Sequence, residues 1–354
     1  MTRKRTPAGV RRLNSGNWQY RLVLPDRTRE SKTFKTEREA SNAYWQRRAE
    51  IDAGHWFDDR KGAMPFRDFL EQYMQYRSTR WSAGTMRNNR SYAKKHLVPT
   101  FGGYAVRDIR VDMVERWYEA MPKGTNSLNI YRLMTGAMKT AVRWGYIQAS
   151  PCIVERPGTG ATKKRPRRTE EDFRKVLAHV EEEFRPVFLV IFTAHLRISE
   201  AAGLNRGDWD PFSRKLSAVR QYSPVTGQLE DTKTGQHKSI RLMPGGEEAL
   251  ETYIQGHPAL ADDPMFYGPK GGRLTSGYIR KLWKRACAAA GYVDFHVHDN
   301  RRTSLTVVMD ASGNWKAVKM RGGHASDSAA LAYQDFSDEL DSAVISALEA
   351  RTHQ

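Results

Sequence analysis

Hydrophobic positions along the chain change period twice. Trp18, Tyr20, Leu22 and Leu24 alternate with Gln19, Arg21 and Val23, the two-residue period of a half-buried strand. Pro25-Asp26 is a turn signal, and Arg29 to Phe34 can form the returning strand. Thr36 and Glu39 fit a capping box for a helix burying Ala40, Ala43, Tyr44 and Ile51 and ending at Gly54. From Phe66 the period becomes helical, with Phe66, Phe69, Leu70, Tyr73 and Met74 on one stripe. Thr85 is placed to cap a second helix reaching Leu97, closed by Pro99 and Gly102. Val111, Val114, Tyr118 and Met121 mark a third, and Leu128, Tyr131, Met134, Met138 and Ala141 a fourth, stopped by Gly145. Later, Phe173, Val176, Leu177 and Val180 predict a helix, and Val187 to Phe192 a buried one. Leu216 to Arg220 and Ser239 to Met243 read as short strands, with Thr234 to His237 between candidate hairpin arms. Helix returns after Tyr278, through Ala290, over Arg301 to Met309 and over Leu340 to Leu348. The expected class is a multidomain α+β protein: a small sheet plus one helix over 1–59, an all-α segment over 61–155, and a mainly α segment with a small sheet over 170–354.

Between the last two lies residues 156–169, rich in Pro, Gly and charge, with six basic residues. Such a stretch reads as a linker that packs no core, and Lys163, Lys164 and Arg165 are candidate phosphate contacts on it. Composition strengthens that reading. Lys and Arg number 58 against 40 acids, a net charge of +18, which favours a polyanionic partner through counterion release. Residues 1–35 hold ten basic and two acidic residues, so the N-terminal sheet can enter a DNA groove, with Arg21 a candidate contact. On the second helical segment Arg87, Arg90 and Lys94 share a stripe. Each such feature is equally compatible with a solvated face. The two cysteines, Cys152 and Cys287, match no zinc spacing, the N-terminus has no apolar stretch, and the longest apolar run is too short to span a bilayer. A reduced, cytoplasmic protein is expected.

Chemistry enters with five short motifs in the last segment. Thr193-Ala-His-Leu-Arg197-Ile-Ser-Glu200 sets an arginine and an acid one helical turn apart. Asp231-Thr-Lys233-Thr-Gly puts a lysine at the hairpin, where it can protonate a leaving oxygen. His298-Asp-Asn-Arg301 places a histidine and a guanidinium at i and i+3, expected on one helical face and suited to a phosphate of changing charge. His296-x-His298 could also suggest a metal pair, but no cysteine or further histidine beside it makes up a zinc-type ligand set. Then come Gly323-His324 and, nine residues on, Tyr333 in Leu331-Ala-Tyr333-Gln-Asp-Phe. A phenol is a poor nucleophile unless neighbouring cations favour its oxyanion. Any one of these motifs alone is unremarkable; their order is what is specific.

That ordered set, R-x-x-E, K-T-G, H-x-x-R, G-H and a tyrosine, resembles the tyrosine recombinase family, and the look is of integrases from phages and mobile elements of actinobacteria. The resemblance covers nearly the whole chain, with 1–59 similar to an arm-type DNA-binding domain and 61–155, including Tyr146-Ile147 and Ser150-Pro151-Cys152, similar to a helical core-binding domain. It implies that Arg197 and Arg301 clamp the scissile phosphate, Lys233 is the general acid, His298 and His324 assist, Glu200 supports Arg197, and Tyr333 attacks. It also implies core and arm DNA sites, a homotetramer on DNA, no cofactor, and nucleoid association in a bacterial host, with a DNA-bending protein and an excisionase as further candidate partners. A terminal helix over Leu340, Val344, Ala347 and Leu348, capped by Ser337, packs either on its own domain or on a neighbouring protomer. Two departures from the pattern stand out. Ala194-His195 occupies the usual Thr-Gly position, and Arg321-Gly322 replaces an apolar residue and small spacer. A type IB topoisomerase-like enzyme and a non-catalytic DNA-binding protein are the competing readings.

Overall fold

In a computed structural model the protein is described over residues 6–24, 27–52, 59–122, 124–155, 157, 166–233 and 235–323. The chain divides between residues 163 and 164 into two compact units. Lys163, Lys164, Arg165, His324, Tyr333, Gly54 and the helix expected over 340–348 lie outside the described residues.

The first unit holds two separate hydrophobic cores. In the N-terminal one, strands β1 (Val10–Arg12), β2 (Trp18–Val23) and β3 (Arg29–Phe34) form an antiparallel sheet in that order, with Tyr20 opposite both Val10 and Lys32. Alternation behaves as predicted: Tyr20 and Leu22 are buried while Arg21 and Val23 face out. β1 was not anticipated, because three residues, two of them arginine, are too few to establish a period. Helix α1 (Glu37–Asp52) covers the sheet. Its capping box forms, with Glu39 N–H donating to Thr36 Oγ1 at 3.3 Å and Thr36 N–H to Glu39 Oε2 at 3.2 Å. Of the four residues expected beneath it only Ala40 is buried; Ala43, Tyr44 and Ile51 pack at the rim of a core too small to cover them.

The helical part comprises α2 (Asp59–Gly62), α3 (Phe66–Arg77), α4 (Ala83–Tyr92), a π-helical turn (Ala93–Leu97), α5 (Val98–Phe101), α6 (Val111–Glu119) and α7 (Thr125–Arg143). All five stripe residues of α3 are buried. Each of Phe66, Phe69 and Leu70 contributes roughly 1.5–3 kcal/mol of transfer free energy. Two expectations need correcting. Ser82, not Thr85, caps α4, its hydroxyl accepting the Thr85 N–H at 3.2 Å. The helix also does not stop at Leu97. Pro99 falls in α5 directly after the π turn, whose wider hydrogen-bond register accommodates a residue that has no N–H to give.

The second unit begins inside the stretch read as a linker. Arg168 lies over the rings of Tyr292 and Phe295, at 5.2 and 5.3 Å, and donates to Val293 O at 2.7 Å. Thr303 Oγ1 donates to Arg168 O, and Thr169 forms a capping box with Asp172. The end of that basic stretch is therefore built into the unit, since an arginine flanked by aromatic faces is a packing residue as much as a charge. Helices α8 (Glu170–Ala178), α9 (Arg185–Thr193) and α10 (Ile198–Gly203) follow. Next come strands β4 (Trp209–Asp210), β5 (Lys215–Ala218), β6 (Arg220–Tyr222), β7 (Leu229–Asp231) and β8 (Lys238–Ile240). Helices α11 (Gly246–Gly256), α12 (Ser276–Ala289), α13 (Val297–Ser312) and α14 (Trp315–Gly322) complete it. Phe173 stacks on Phe192 at 4.2 Å and both sit in a core with Trp283. The strand expected over 216–220 splits, β5 joining the sheet β4-β5-β8 and β6 pairing with β7. β7 was missed because Leu229-Glu-Asp231 buries none of its residues and so shows no apolar alternation.

Among the described residues no helix is long and apolar enough to cross a membrane. Both cysteines are unpaired, and burial pushes the Cys152 and Cys287 thiols up to about 11 and about 12, which keeps them unreactive.

Candidate active site

Arg197 is the N-cap of α10, and Glu200 is the third residue of that helix. Glu200 reaches back, accepting the Arg197 backbone N–H at 2.9 Å with one oxygen and Arg197 Nη1 at 2.5 Å with the other. The i, i+3 spacing is thus a helix cap that also orients a guanidinium. Glu200 is buried, whereas 23% of the Arg197 side chain stays exposed. Two more cations approach the same carboxylate: Lys238 Nζ at 3.7 Å and Arg301 Nη1 at 3.9 Å from Glu200 Oε2. Burial pushes the Glu200 carboxyl up, but Lys238, Arg197 and Arg301 together hold it below the usual carboxylate range.

Arg301 comes from α13 and is 2% exposed. Its Nη1 donates to His195 O and its Nη2 to Gly322 O, tying the loop before α10 to the end of α14. His298, one turn earlier, is exposed. Both lie on α13 at the expected i, i+3 spacing, Arg301 buried and His298 exposed. Three residues leave roughly 60° between side chains, enough at the helix edge to bury one and expose the other. His296 is the N-cap of α13 and sits 3.7 Å from Asp299, so it serves the helix start.

Lys233 is exposed in the turn after β7. Gly235 N–H donates to Thr232 O, and the Thr232 hydroxyl to Gln236 O at 3.0 Å, which closes a tight loop with Lys233 in it. Five residues on, Lys238 anchors β8 in the centre of the site, donating to Ala194 O at 3.1 Å and His195 O at 2.9 Å. Burial, partly offset by Glu200 and reinforced by Arg301 and Arg197, lowers its ammonium to about 7. α14 ends at Gly322, and Gly323, in the left-handed region at φ 59°, immediately precedes His324. An open groove beside this end is lined by His237, Lys238, Trp315, Lys316, Lys319 and Met320. The distal candidates Arg21, Arg87, Arg90 and Lys94 are all exposed in the first unit, as a phosphate-facing residue must be.

Lys238, His195, Ser304 and Arg321 were not picked out as site residues from sequence. Lys238 had a signal: it shares the inward face of β8 with Ile240 by the two-residue period. His195 and Arg321 were visible only as departures from a pattern. The structure joins them, Arg321 Nε donating to His195 Nε2 at 2.8 Å. Since an arginine can only donate, the His195 proton is on Nδ1, directed to Ser304 Oγ at 2.8 Å. Burial, with Arg321, Lys238 and Arg301 nearby, lowers the imidazole to about 2.

A stability prediction follows from that value. Between about 2 and the ordinary histidine range near ~6.5 the unfolded chain binds a proton that the folded chain refuses. Stability then rises with pH in this window and is lost on acidification below ~6.5, by up to ~1.4 kcal/mol per pH unit. Denaturant unfolding at pH 7 and pH 5 should show the wild type losing about 2 kcal/mol more than His195→Asn, which tolerates the left-handed backbone. Equal losses in the two proteins would mean that His195 titrates normally in the fold.

Residues 167–339 match the model of the phage integrase family, and residues 65–121 match the phage integrase N-terminal SAM-like domain. A putative prophage phiRv2 integrase of Mycobacterium tuberculosis is 25% identical over 343 residues, spanning 92% of this chain and 90% of that protein. Two solved structures share the fold. The Tn1549 transposon integrase in complex with transposon right end DNA superposes with a TM-score of 0.71 at 15% identity, covering 81% of this chain and 100% of that one. A lambda integrase tetramer bound to a Holliday junction gives a TM-score of 0.62 at 18% identity, covering 91% and 96%.

Proposed function

Because this chain belongs to the phage integrase family of tyrosine recombinases, we propose that it is a site-specific DNA recombinase that cuts and rejoins DNA through a 3′-phosphotyrosyl intermediate, integrating or excising a phage or mobile element. The observation that carries this reading is the gathering of Arg197, Arg301 and Lys238 around the single buried carboxylate of Glu200. Phosphoryl transfer asks a protein mainly for positioning and charge stabilisation. In this reading Arg197 and Arg301 receive the nonbridging oxygens of the scissile phosphate, and Glu200 holds Arg197 in place. Tyr333 Oη attacks phosphorus and gives its proton to His298 or His324, the P–O5′ bond breaks, and Lys233 delivers a proton to the leaving 5′-oxygen. His298 and His324 hydrogen-bond the phosphate. The ester conserves the bond energy, so neither ATP nor another cofactor is required, and attack by a partner strand's 5′-hydroxyl reverses the step and exchanges strands. Strand exchange runs in a homotetramer on DNA, the assembly in which lambda integrase was captured. The protein works at the nucleoid of its bacterial host.

A nicked suicide substrate built from the direct repeat flanking the gene tests the reading. A covalent protein–DNA adduct is expected; tight binding without an adduct would identify a binding protein instead. Trapping should persist in EDTA, because guanidinium and ammonium groups supply the charge stabilisation, and affinity should fall steeply with salt as phosphate contacts are lost. Cleavage abolished by EDTA and restored by a divalent ion would overturn the assigned chemistry.

The N-terminal sheet is proposed as the arm-site module. Arg11, Arg21 and Arg29 are exposed on it, and it has a core of its own. A fragment starting at residue 61 should bind and cleave core sites yet lose distal arm sites. Identical footprints from fragment and full chain on both classes of site would refute the division.

A further inference from the structure

We propose that His195 and Arg321 form a single positioning device that sets the orientation of Arg301; the inference rests on the recombinase reading of the site. His195 lies in the left-handed region at φ 50°, where an L side chain persists only if its surroundings hold it. Here the ring is held at both ends. Nδ1 donates to Ser304 on α13, the helix that carries Arg301, and Nε2 accepts from Arg321 on α14. Ser304 in turn donates to Arg301 O at 3.1 Å.

The unusual backbone conformation has a use. It directs the His195 carbonyl at Arg301 Nη1 and at Lys238 Nζ. Arg301 Nη2 meets Gly322 O, the residue next to Arg321, and Lys238 also reaches Arg321 O at 3.5 Å. The contacts therefore close a circuit: His195 ring to Arg321 side chain, Arg321 to Gly322 through one peptide bond, Gly322 O to Arg301, and Arg301 back to His195 O. Arg321 Nη2 adds contacts to Arg241 O at 2.9 Å and Thr193 O at 3.4 Å, which pin the outer side of the circuit to the segment after β8 and the end of α9. His195 is fully buried, so no water can replace a lost partner without a rearrangement. Moving either residue tilts the plane of the guanidinium that is to meet the phosphate. A neutral imidazole is required, because a protonated one has no lone pair to accept from Arg321.

Single-turnover cleavage of the suicide substrate by saturating full-length enzyme tests this, with His195→Gly, Arg321→Leu and the double variant. Glycine suits the backbone at 195, and thermal unfolding sets a temperature at which every variant is folded. Each single variant is expected to cleave ~10-fold or more slowly with core-site Kd within ~3-fold of wild type, and the double variant to be no slower than the worse single, as for residues acting as a unit. Wild-type cleavage by either folded single variant, or losses that multiply in the double, would show that the pair only supports the fold. Nitrogen NMR of the imidazole gives a second readout that needs no DNA. The His195 signal should report an Nδ1-protonated ring unchanged between pH 5 and pH 8 and should shift in Arg321→Leu. A ring titrating in that range overturns the device. Failure of the wild type to form any adduct overturns the recombinase reading, and this inference with it.

Discussion

Tyr333→Phe should abolish covalent trapping, lowering cleavage by at least ~10⁴-fold, the scale on which removing a nucleophile acts. Core-site affinity should stay within about two-fold, because the substitution removes one oxygen and no positive charge. The reasoning is chemical. Tyr333 is the tyrosine that follows the Gly323-His324 pair at the spacing of the motif set, and a phenol needs a cationic setting to attack at neutral pH. The cluster of Arg197, Arg301 and Lys238 is such a setting, and α14 delivers the chain to its edge at Gly323. An adduct that survives in Tyr333→Phe would assign the nucleophile elsewhere.

The second large effect separates the two arginines. Arg197 keeps part of its side chain in solvent and binds one carboxylate, whereas Arg301 is buried and also holds two main-chain carbonyls. Arg197→Ala should therefore cost ~10²–10³-fold in cleavage, the usual scale for one contact to a developing charge, with a smaller loss of folding stability than at Arg301, since solvent reaches the site and Lys238 stays beside Glu200. Arg301→Ala should cost at least as much in rate and, in addition, about 2–6 kcal/mol in stability, because it leaves two buried main-chain carbonyls without a donor, at ~1–3 kcal/mol each. Arg301→Lys restores charge but cannot span His195 O and Gly322 O together, so it should recover stability in part and cleavage hardly at all. Single-turnover cleavage and chemical denaturation, measured on the same preparations, decide the matter. Arg197→Ala as destabilising as Arg301→Ala would contradict the difference in burial on which the argument stands.

How far the site was legible in the chain varies by residue. Arg197 and Glu200 could be paired from their spacing, because a helix start brings i and i+3 together whatever surrounds it. Lys233 could be placed on a turn from its Thr-Gly neighbours. His298 and Arg301 could be put on one helix, but that one is buried and the other exposed depends on what packs against α13. Lys238 lies just before the strand expected over Ser239 to Met243, and only the fold shows that β8 starts with it and lines the centre of the site. Ser82 took the cap from Thr85, a competition between neighbouring hydroxyls that local pattern alone does not resolve.

Periodicity by itself determined the sequence of folds within this protein: a small sheet with its helix, a helical bundle, and a larger unit around the apolar run Val187 to Phe192, because burial of apolar faces at period 2 or 3.6 is a local property of the chain. The ordered motifs singled out the candidate residues for chemistry, since phosphoryl transfer accepts few side-chain types. Tertiary structure alone decided that Arg168 belongs to the second unit, that one carboxylate serves three cations, and that the two irregular positions, His195 and Arg321, are bonded to each other. These are contacts between residues far apart in the chain, and their energies come from desolvation and from partners that local spacing does not specify.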